Sequence, residues 1–431
     1  MLNILVVYYH RYTFPMRESI KSHLYSFANY LKNAKNFYLN LAFPIPNYIF
    51  HIDFDLLIFH TTFLSRLKWS FIPYKEFIRD YKSLKKIKAV KIIFPQDEFI
   101  RSNVICEFIN DFEIDVVFTT SGKDEWDKIY PYVDKNRVKF HTVLTGYLDE
   151  HTVERVKKLL KNNEKRPIDI GYRVTKVPYS LGYHGYMKEE IAHIFKKHAS
   201  DNGLKIDIST KEEDIFLGFD WYNFLLRCKY IIGIEGGSSL LDFDGSIRKK
   251  VEKYLEKHPE ADFHEVKRNC LDNLDGGLKL FAISPRHLES CITKTCQILI
   301  EGEYNGILKA WLHYIPVKKD YSNIKEVINL IKEDSLRKEI VERAYKDIVE
   351  SGKFTYKEFV KKIIKLSLED RYQKEKKSQK SIVDFYHTMN KVREYIIWKF
   401  ILIESIFVKI LKMVLSPNQI KRLKKLLKKG A

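Results

Sequence analysis

Cysteine is scarce in this 431-residue chain. Its five residues (Cys106, Cys228, Cys270, Cys291 and Cys296) are odd in number and form no CxxC or CxxH pair. That favours reduced thiols over a disulfide framework or a zinc site. Acid is also in short supply: 56 Asp and Glu stand against 75 Lys and Arg, a net charge of +19. Such an excess calls for a polyanionic partner, whether nucleic acid, anionic lipid or a phosphate-bearing substrate. Nucleic acid is not the expected one, because the chain has no RRM, KH, zinc-finger or Walker pattern and its positive charge is concentrated in the tail. DSLRKEIVERAYKD lacks the turn glycine and second helix of a helix-turn-helix. A dinucleotide oxidoreductase is excluded as well, since IEGGSSLLDFDG lacks GxGxxG spacing. The opening MLNILVVYYHRY has no basic stretch ahead of its short apolar run, so it reads as a buried strand and not a signal peptide. Residence on the cytoplasmic side is expected.

The hydrophobic content of 45% supports two core-bearing domains and an appendage. NILVVYY (3–9), DFDLLIFH (53–60), AVKIIFP (89–95) and DVVFTT (115–120) are short apolar strand candidates, and ESIKSHLYSFANYL (18–31) has helical spacing. Strands alternating with helices predict βαβ units and a mainly parallel sheet, with ligands at the strands' carboxyl ends. That rule places His10, Arg11, His60, Gln96, Asp97, Glu98 and Thr120 on one rim. A second alternation starts after Pro167: RPIDIGYR, a helix stopped by Gly203, LKIDIS (204–209), KYIIGI (229–234), a helix opening at SPRHLESCITKT (284–295) and CQILIEG (296–302). EGEYNGIL (301–308) reads as strand–turn–strand about Asn305-Gly306, and NIKEVINLIKEDSLRKEIVERAYKDI as one continuous helix. The expected divisions are 1–165 and 166–345 as two Rossmann-like domains, 346–380 as a helical crossover, and 381–431 as a basic amphipathic helical tail.

From Arg371 onward the chain carries 16 Lys and Arg against 4 Asp and Glu, a net of 16 − 4 = +12. YIIWKFILIESIFVKILKMVL is apolar but interrupted by Lys399, Glu404, Lys409 and Lys412, so it is expected to lie at an interface or to dock on the protein, not to span a bilayer. SPNQIKRLKKLLKKG (416–430) has a helix start signal at Ser416-Pro417, an apolar face and six basic residues, the pattern of a helix lying on an anionic membrane.

Five loops offer chemistry. CKYIIGIEGGSSLLDFDG (228–245) opens from a strand into Glu235, Gly236, Gly237, Ser238 and Ser239, a Gly-rich loop suited to bring backbone near a phosphate. Its Asp242-Phe243-Asp244 has the form of a metal-holding DxD, but reads more readily as turn and helix-start residues. Ser284-Pro285-Arg286 opens a helix whose free N–H groups and dipole suit an anion. Asp97 and Glu98, at the end of the strand KIIFP, are base candidates, with helix capping and pairing to Arg101 as their structural alternatives. His10 is a further base candidate, and Tyr304 either stacks on a base or sugar or packs the turn.

In order along the chain, DIGYR (169–173), EDIFLGFDWYNFLLRCKYIIGIEGGSS (213–239), SPRHLES (284–290) and ILIEGEYNGILKAWLHYIPVKKDYSNIKEV (298–327) resemble the nucleotide-sugar half of a GT-B glycosyltransferase. The resemblance is to the group-1, CgeB-like bacterial set found in surface-polysaccharide clusters. It covers roughly 169–365, while the first half matches more loosely through HRYTFPMRESIKSHLYSF and FPQDEF. It implies an α/β fold of GT-B architecture, two Rossmann-like domains facing a cleft. The reaction implied is transfer from a nucleotide-diphosphate sugar to a lipid-linked or glycan acceptor of lipopolysaccharide or capsule, without a metal or other cofactor. By the same resemblance Arg173 would meet the diphosphate and Glu289 the ribose hydroxyls. Retaining relatives carry a second glutamate eight positions before the first, where this chain has Phe281. Glu235 is the candidate to take over part of that role. The alternative is a catalytically silent scaffold that binds a glycan or a partner at the membrane.

Overall fold

The computed structural model describes residues 1–161, 165–369 and 379–414. The first half builds six strands: β1 (Leu2–Tyr8), β2 (Ala34–Asn40), β3 (Leu56–Phe59), β4 (Val90–Ile93), β5 (Val116–Thr119) and β6 (Lys139–Thr142). They form one parallel sheet in the order β2-β1-β3-β4-β5-β6. The central strands are buried on both faces, as parallel strands between helical layers must be, which explains their continuous apolar runs. The second half supplies β7 (Ile168–Arg173), β8 (Ile206–Ser209), β9 (Cys228–Gly233), β10 (Gly236–Ser238), β11 (Leu280–Ala282), β12 (Cys296–Ile300) and β13 (Ile315–Val317). Five of these make a second parallel sheet, β13-β12-β9-β7-β8, and β10 pairs with β11 in a separate antiparallel ribbon. The predicted α/β class with two Rossmann-like halves and a helical C-terminal segment is therefore present.

Three connections set the relation between the halves. Between β10 and β11, the Asp242 N–H donates to Phe99 O (2.8 Å), and the Asp242 carbonyl accepts from Arg101 N (2.7 Å). Thr145 Oγ1 donates to Ile283 O (2.6 Å). After the second domain the chain returns: helix Tyr356–Leu368 inserts Tyr356, Phe359 and Ile363 into the first domain's core beside Phe94 and Phe118. A crossover helix was expected at this place. Helix Lys380–Val414 then lies along β2, with Asn390 bonding both the N–H and the carbonyl of Tyr38. The basic stretch 416–430 lies outside the described residues.

Two sequence expectations need correction. The predicted continuous helix over 323–348 is broken into Ile324–Leu330 and Asp334–Ala344, followed by a wider turn at Tyr345–Glu350. No glycine or proline marks the break. The chain turns because Ile328 and Ile331 bury into the same core as Ile340 and Val341. At 301–308 there is no strand–turn–strand; β12 leads into a single helical turn, Tyr304–Gly306, with Asn305 left-handed at φ 54°.

Candidate active site

The loops after β1, β3, β4, β5 and β6 converge with those after β7 and β9 on one cleft, the crevice expected at the carboxyl ends of parallel sheets. One cavity of about 270 Å³ lies between Arg17 and Glu18 of the first half and Arg173, Phe216, Trp221, Arg286 and Glu289 of the second. A neighbouring cavity of about 230 Å³ lies between His23, Gln96, Asp97 and Thr120 on one side and Gly236, Gly237 and Ala282 on the other. Ser19, Ser284 and Pro285 line both, so the two are continuous.

The second-domain wall is cationic. Helix Pro285–Ile292 begins in the cleft, capped by Ser284, whose N–H donates to His287 Nδ1 (3.0 Å). Arg286 in its first turn donates to the carbonyl of Arg173 (3.0 Å) and lies over the Trp221 ring. Lys188, from helix Gly182–Ser200, donates to Gly237 O (3.1 Å). Burial brings its ammonium down to about 8, against the opposing pull of Asp97. Neither Arg286 nor Lys188 forms a salt bridge among the described residues. Glu289 stands one turn on, accepting from Trp221 Nε1 (2.7 Å), and burial raises its carboxyl to about 6. A helix N-terminus and two uncompensated cations suit a polyphosphate, while an oriented carboxylate suits hydroxyl donors.

Arg173 lines the same cavity, but its guanidinium is committed within its own domain. It pairs with Asp207 (2.7 Å), donates to the Asp207 and Asp214 carbonyls and stacks over Phe224. The second-domain cation that lines the cleft is Arg286 instead, and Lys188, held on the Gly237 carbonyl, stands near enough to Asp97 and Arg286 to feel both charges. Gly236 and Gly237 wall the cleft, and Gly237 (φ 104°) admits no side chain, since a Cβ there would meet Leu280 O at 1.8 Å. Ser238 and Ser239 turn elsewhere: Ser238 donates to Leu181 O and Leu240 O, and Ser239 to Asp275. Glu235 lines a separate cavity of about 260 Å³ with Phe281, which stacks on His184, and accepts from the N–H of Tyr304 (2.6 Å). Gly236 and Ala282 line the cleft, whereas Glu235 and Phe281 line that second cavity, so the geometry does not put Glu235 in the cleft to replace a missing glutamate. Tyr304 is fully buried with its hydroxyl on Ile300 O (2.6 Å), which corrects its stacking role to a packing one. Asp242 caps the following helix through the N–H groups of Ile247 and Arg248, and Asp244 accepts from Ser246 N.

The first-domain wall carries Asp97. Gln96 and Asp97 both have positive φ (36° and 44°), and the loop is pinned by the fully buried Lys68, whose ammonium donates to the carbonyls of Pro95, Gln96 and Asp97. Glu98, the adjacent base candidate, is fully buried and accepts from Thr119, Thr120 and Tyr130. It neither faces the cleft nor pairs with Arg101, which donates to the carbonyls of Leu67, Lys68 and Ile72. His10 is also away from the two cavities: its Nε2 meets Thr13 O (2.8 Å) and its ring packs on Trp398.

Among solved structures the chain is similar to HepE from Anabaena in complex with UDP: 10% identity over 86% of this chain and all of that one, TM-score 0.45. A glycosyltransferase from Rickettsia africae ESF-5 matches at 12% over 86% of this chain and 99% of that one, TM-score 0.45. AviGT4, a glycosyltransferase involved in avilamycin A biosynthesis, matches at 8% over 85% and 96%, TM-score 0.44. No family model and no curated protein matches the chain.

Residues that sequence reasoning missed complete the cleft. Lys188 lies well inside a helix of ordinary amphipathic pattern and reaches back to the Gly236-Gly237 loop, a contact 49 positions away. Arg17 stands at the start of helix Glu18–Tyr30, whose position just after β1 was the available signal. His23 lines the second cavity, and its Nδ1 is 2.9 Å from His60 Nε2. Because His60 Nδ1 accepts the Thr62 N–H, His60 carries its proton on Nε2 and donates to His23 Nδ1, leaving the His23 proton on Nε2. Burial holds His23 at about 4, so it is neutral at physiological pH.

Proposed function

We propose that the protein is a nucleotide-sugar-dependent glycosyltransferase of the GT-B type, with the second domain holding the donor and the first the acceptor. One observation carries this reading: the helix N-terminus at Ser284-Pro285, with Arg286 and Lys188 beside it, faces Asp97 across a continuous cleft. In the reaction, the bond between the sugar's anomeric carbon and the β-phosphate oxygen breaks, and the electron pair leaves with the nucleoside diphosphate. Arg286, Lys188 and the helix N–H groups neutralise that developing charge, so no metal is needed for it. The acceptor hydroxyl attacks the anomeric carbon and gives its proton to Asp97. Glu289, steadied by Trp221, receives the ribose hydroxyls. The resemblance to the CgeB-like set supports a role in lipopolysaccharide or capsule synthesis, on a lipid-linked or glycan acceptor at the cytoplasmic face of the membrane.

Calorimetry with UDP and GDP, followed by turnover of a panel of their sugars, tests the reading. Arg286→Ala should lower turnover about 10²-fold, the scale of losing one preorganised donor to a developing oxyanion. If neither nucleotide binds, or if the variant turns over normally, the reading is wrong. Binding without turnover of any donor would instead favour the silent scaffold.

A further inference from the structure

Helix Lys380–Val414 has two unlike sides. The inner side is built for the first domain: Val383, Ile397 and Ile401 are buried, Glu394 accepts from the hydroxyls of Tyr8 and Tyr25, and Trp398 Nε1 donates to Tyr25 (2.6 Å). The outer side is apolar and uncovered. Phe385, Met389, Ile396, Ile403, Phe407 and Ile410 recur at helical steps and are each at least 42% exposed. From Phe385 to Ile410 this seam runs roughly 38 Å at the α-helical rise. Soluble monomers rarely leave so long an apolar surface bare, so it implies a partner.

The charges say which partner. Every acid among the helix's described side chains is engaged by the body of the protein: Asp384 with Lys35, Glu394 with the two tyrosines, Glu404 with Arg11 (2.8 Å). Lys391, Lys399 and Lys409 are exposed beside the seam, with no salt bridge among the described residues. Six more basic residues follow at 416–430 in the sequence. A second copy laid on the same seam would bring lysine against lysine. An anionic surface with an apolar interior complements both features at once. No described helix is long and apolar enough to cross a membrane, so the contact is lateral.

We propose that the outer seam of helix Lys380–Val414 is a bilayer-contacting surface that lies flat on an anionic leaflet. The loop over residues 10–17 joins the inner side of this helix to the cleft. His10 packs on Trp398, Arg11 pairs with Glu404 and Phe14 N donates to Ser405 Oγ (3.2 Å). A few residues on, Pro15 faces Gly218 of the second domain and Arg17 lines the cleft. A leaflet on the seam thus lies one helix diameter, about 10 Å, from the loop that borders the cleft, within reach of a lipid-linked acceptor. The inference deepens the proposed function and rests on it only for the identity of the acceptor.

The test uses the full chain with sucrose-loaded vesicles, either phosphatidylcholine alone or mixed with phosphatidylglycerol. The protein should pellet with the anionic vesicles, and the double substitution Ile396→Glu, Ile403→Glu should lower its partition coefficient about tenfold or more. Both positions are more than half exposed, so thermal unfolding should be unchanged. The proposal is overturned if wild type stays in the supernatant or if the double variant pellets equally. It also falls if light scattering shows a dimer that the substitutions dissolve. UDP and GDP calorimetry on the same samples separates the two readings: vesicle binding without binding of either nucleotide sinks the glycosyltransferase and leaves the seam standing.

Discussion

The two walls of the cleft share a backbone plan and differ in chemistry. Both are loops at the carboxyl ends of parallel strands. The second-domain wall presents a helix N-terminus with Arg286 and Lys188, fixed positive charge that needs no rearrangement when an anion develops beside it. The first-domain wall presents Asp97 on a loop of unfavourable backbone geometry, with neutral His23 lining the same cavity. Residues held at left-handed φ persist only when their surroundings over-determine them, and here Lys68 does so through three carbonyls. In the proposed reaction one wall stabilises the leaving group, and the other holds one carboxylate in one place.

The separation of roles can be broken most sharply at Asp97. Asp97→Asn keeps the shape of the wall and removes the proton acceptor, so turnover should fall about 10²- to 10⁴-fold with UDP affinity unchanged. Single-turnover kinetics beside calorimetry gives both quantities. A loss of UDP affinity with turnover per bound donor intact would place Asp97 on the donor side and dissolve the comparison. A smaller effect is expected from Lys68→Met, which removes a positioning group that touches no substrate. The buried Pro95 carbonyl and the partly buried ones of Gln96 and Asp97 would lose their donor, costing about 1–3 kcal/mol of stability. Turnover should fall about tenfold with UDP affinity preserved, and Lys68→Arg should restore part of it if its guanidinium reaches the same carbonyls. A purely structural lysine would lower stability without splitting turnover from affinity.

The sequence made β1, β3, β4, β5, β7, β9 and β12 legible because their burial demands short apolar runs, and the half-buried edge strand β8 showed through the alternation of Ile206 and Ile208. It concealed β2, whose Lys35, Asn36 and Asn40 are buried. Lys35 pairs with Asp384, and Asn390 bonds the backbone of Tyr38, so the cover for this strand comes from a helix some 350 positions away. The site divides in the same way. Ser284, Arg286 and Glu289 could be read because capping and dipole chemistry are local to one helix. Asp97 could be read because strand ends point to the crevice. What was not local was not legible. Nothing near Arg173 announces Asp207, nothing near Ser239 announces Asp275, and nothing near Lys188 announces Gly237. His10 and His23 make the sharpest pair: the first stands at a strand end, yet contacts the C-terminal helix, while the second lies within a helix and lines the cleft.

The mildest test lies in the pH dependence of donor binding, because Glu289 titrates inside the working range of the protein. Burial raises its carboxyl from 4.5 to about 6, with Trp221 and Arg286 opposing the shift. For stability the sign follows from that direction. The folded state disfavours the ionised form, so this group's penalty is absent below the unfolded value and is fully present above about 6. Binding runs the other way, since ribose hydroxyls donate to the carboxylate and not to its protonated form. A group titrating at 6 should therefore weaken UDP binding about fourfold at pH 5.5 relative to pH 7.5, as its ionised fraction falls. His23, held by burial at about 4, stays neutral across that window, and Lys188, at about 8, regains only the last quarter of its charge as the pH falls, a smaller effect of opposite sign. Glu289→Gln should flatten the profile at a lower affinity. A profile that keeps its slope in the variant would assign the titration to another group and detach Glu289 from the ribose.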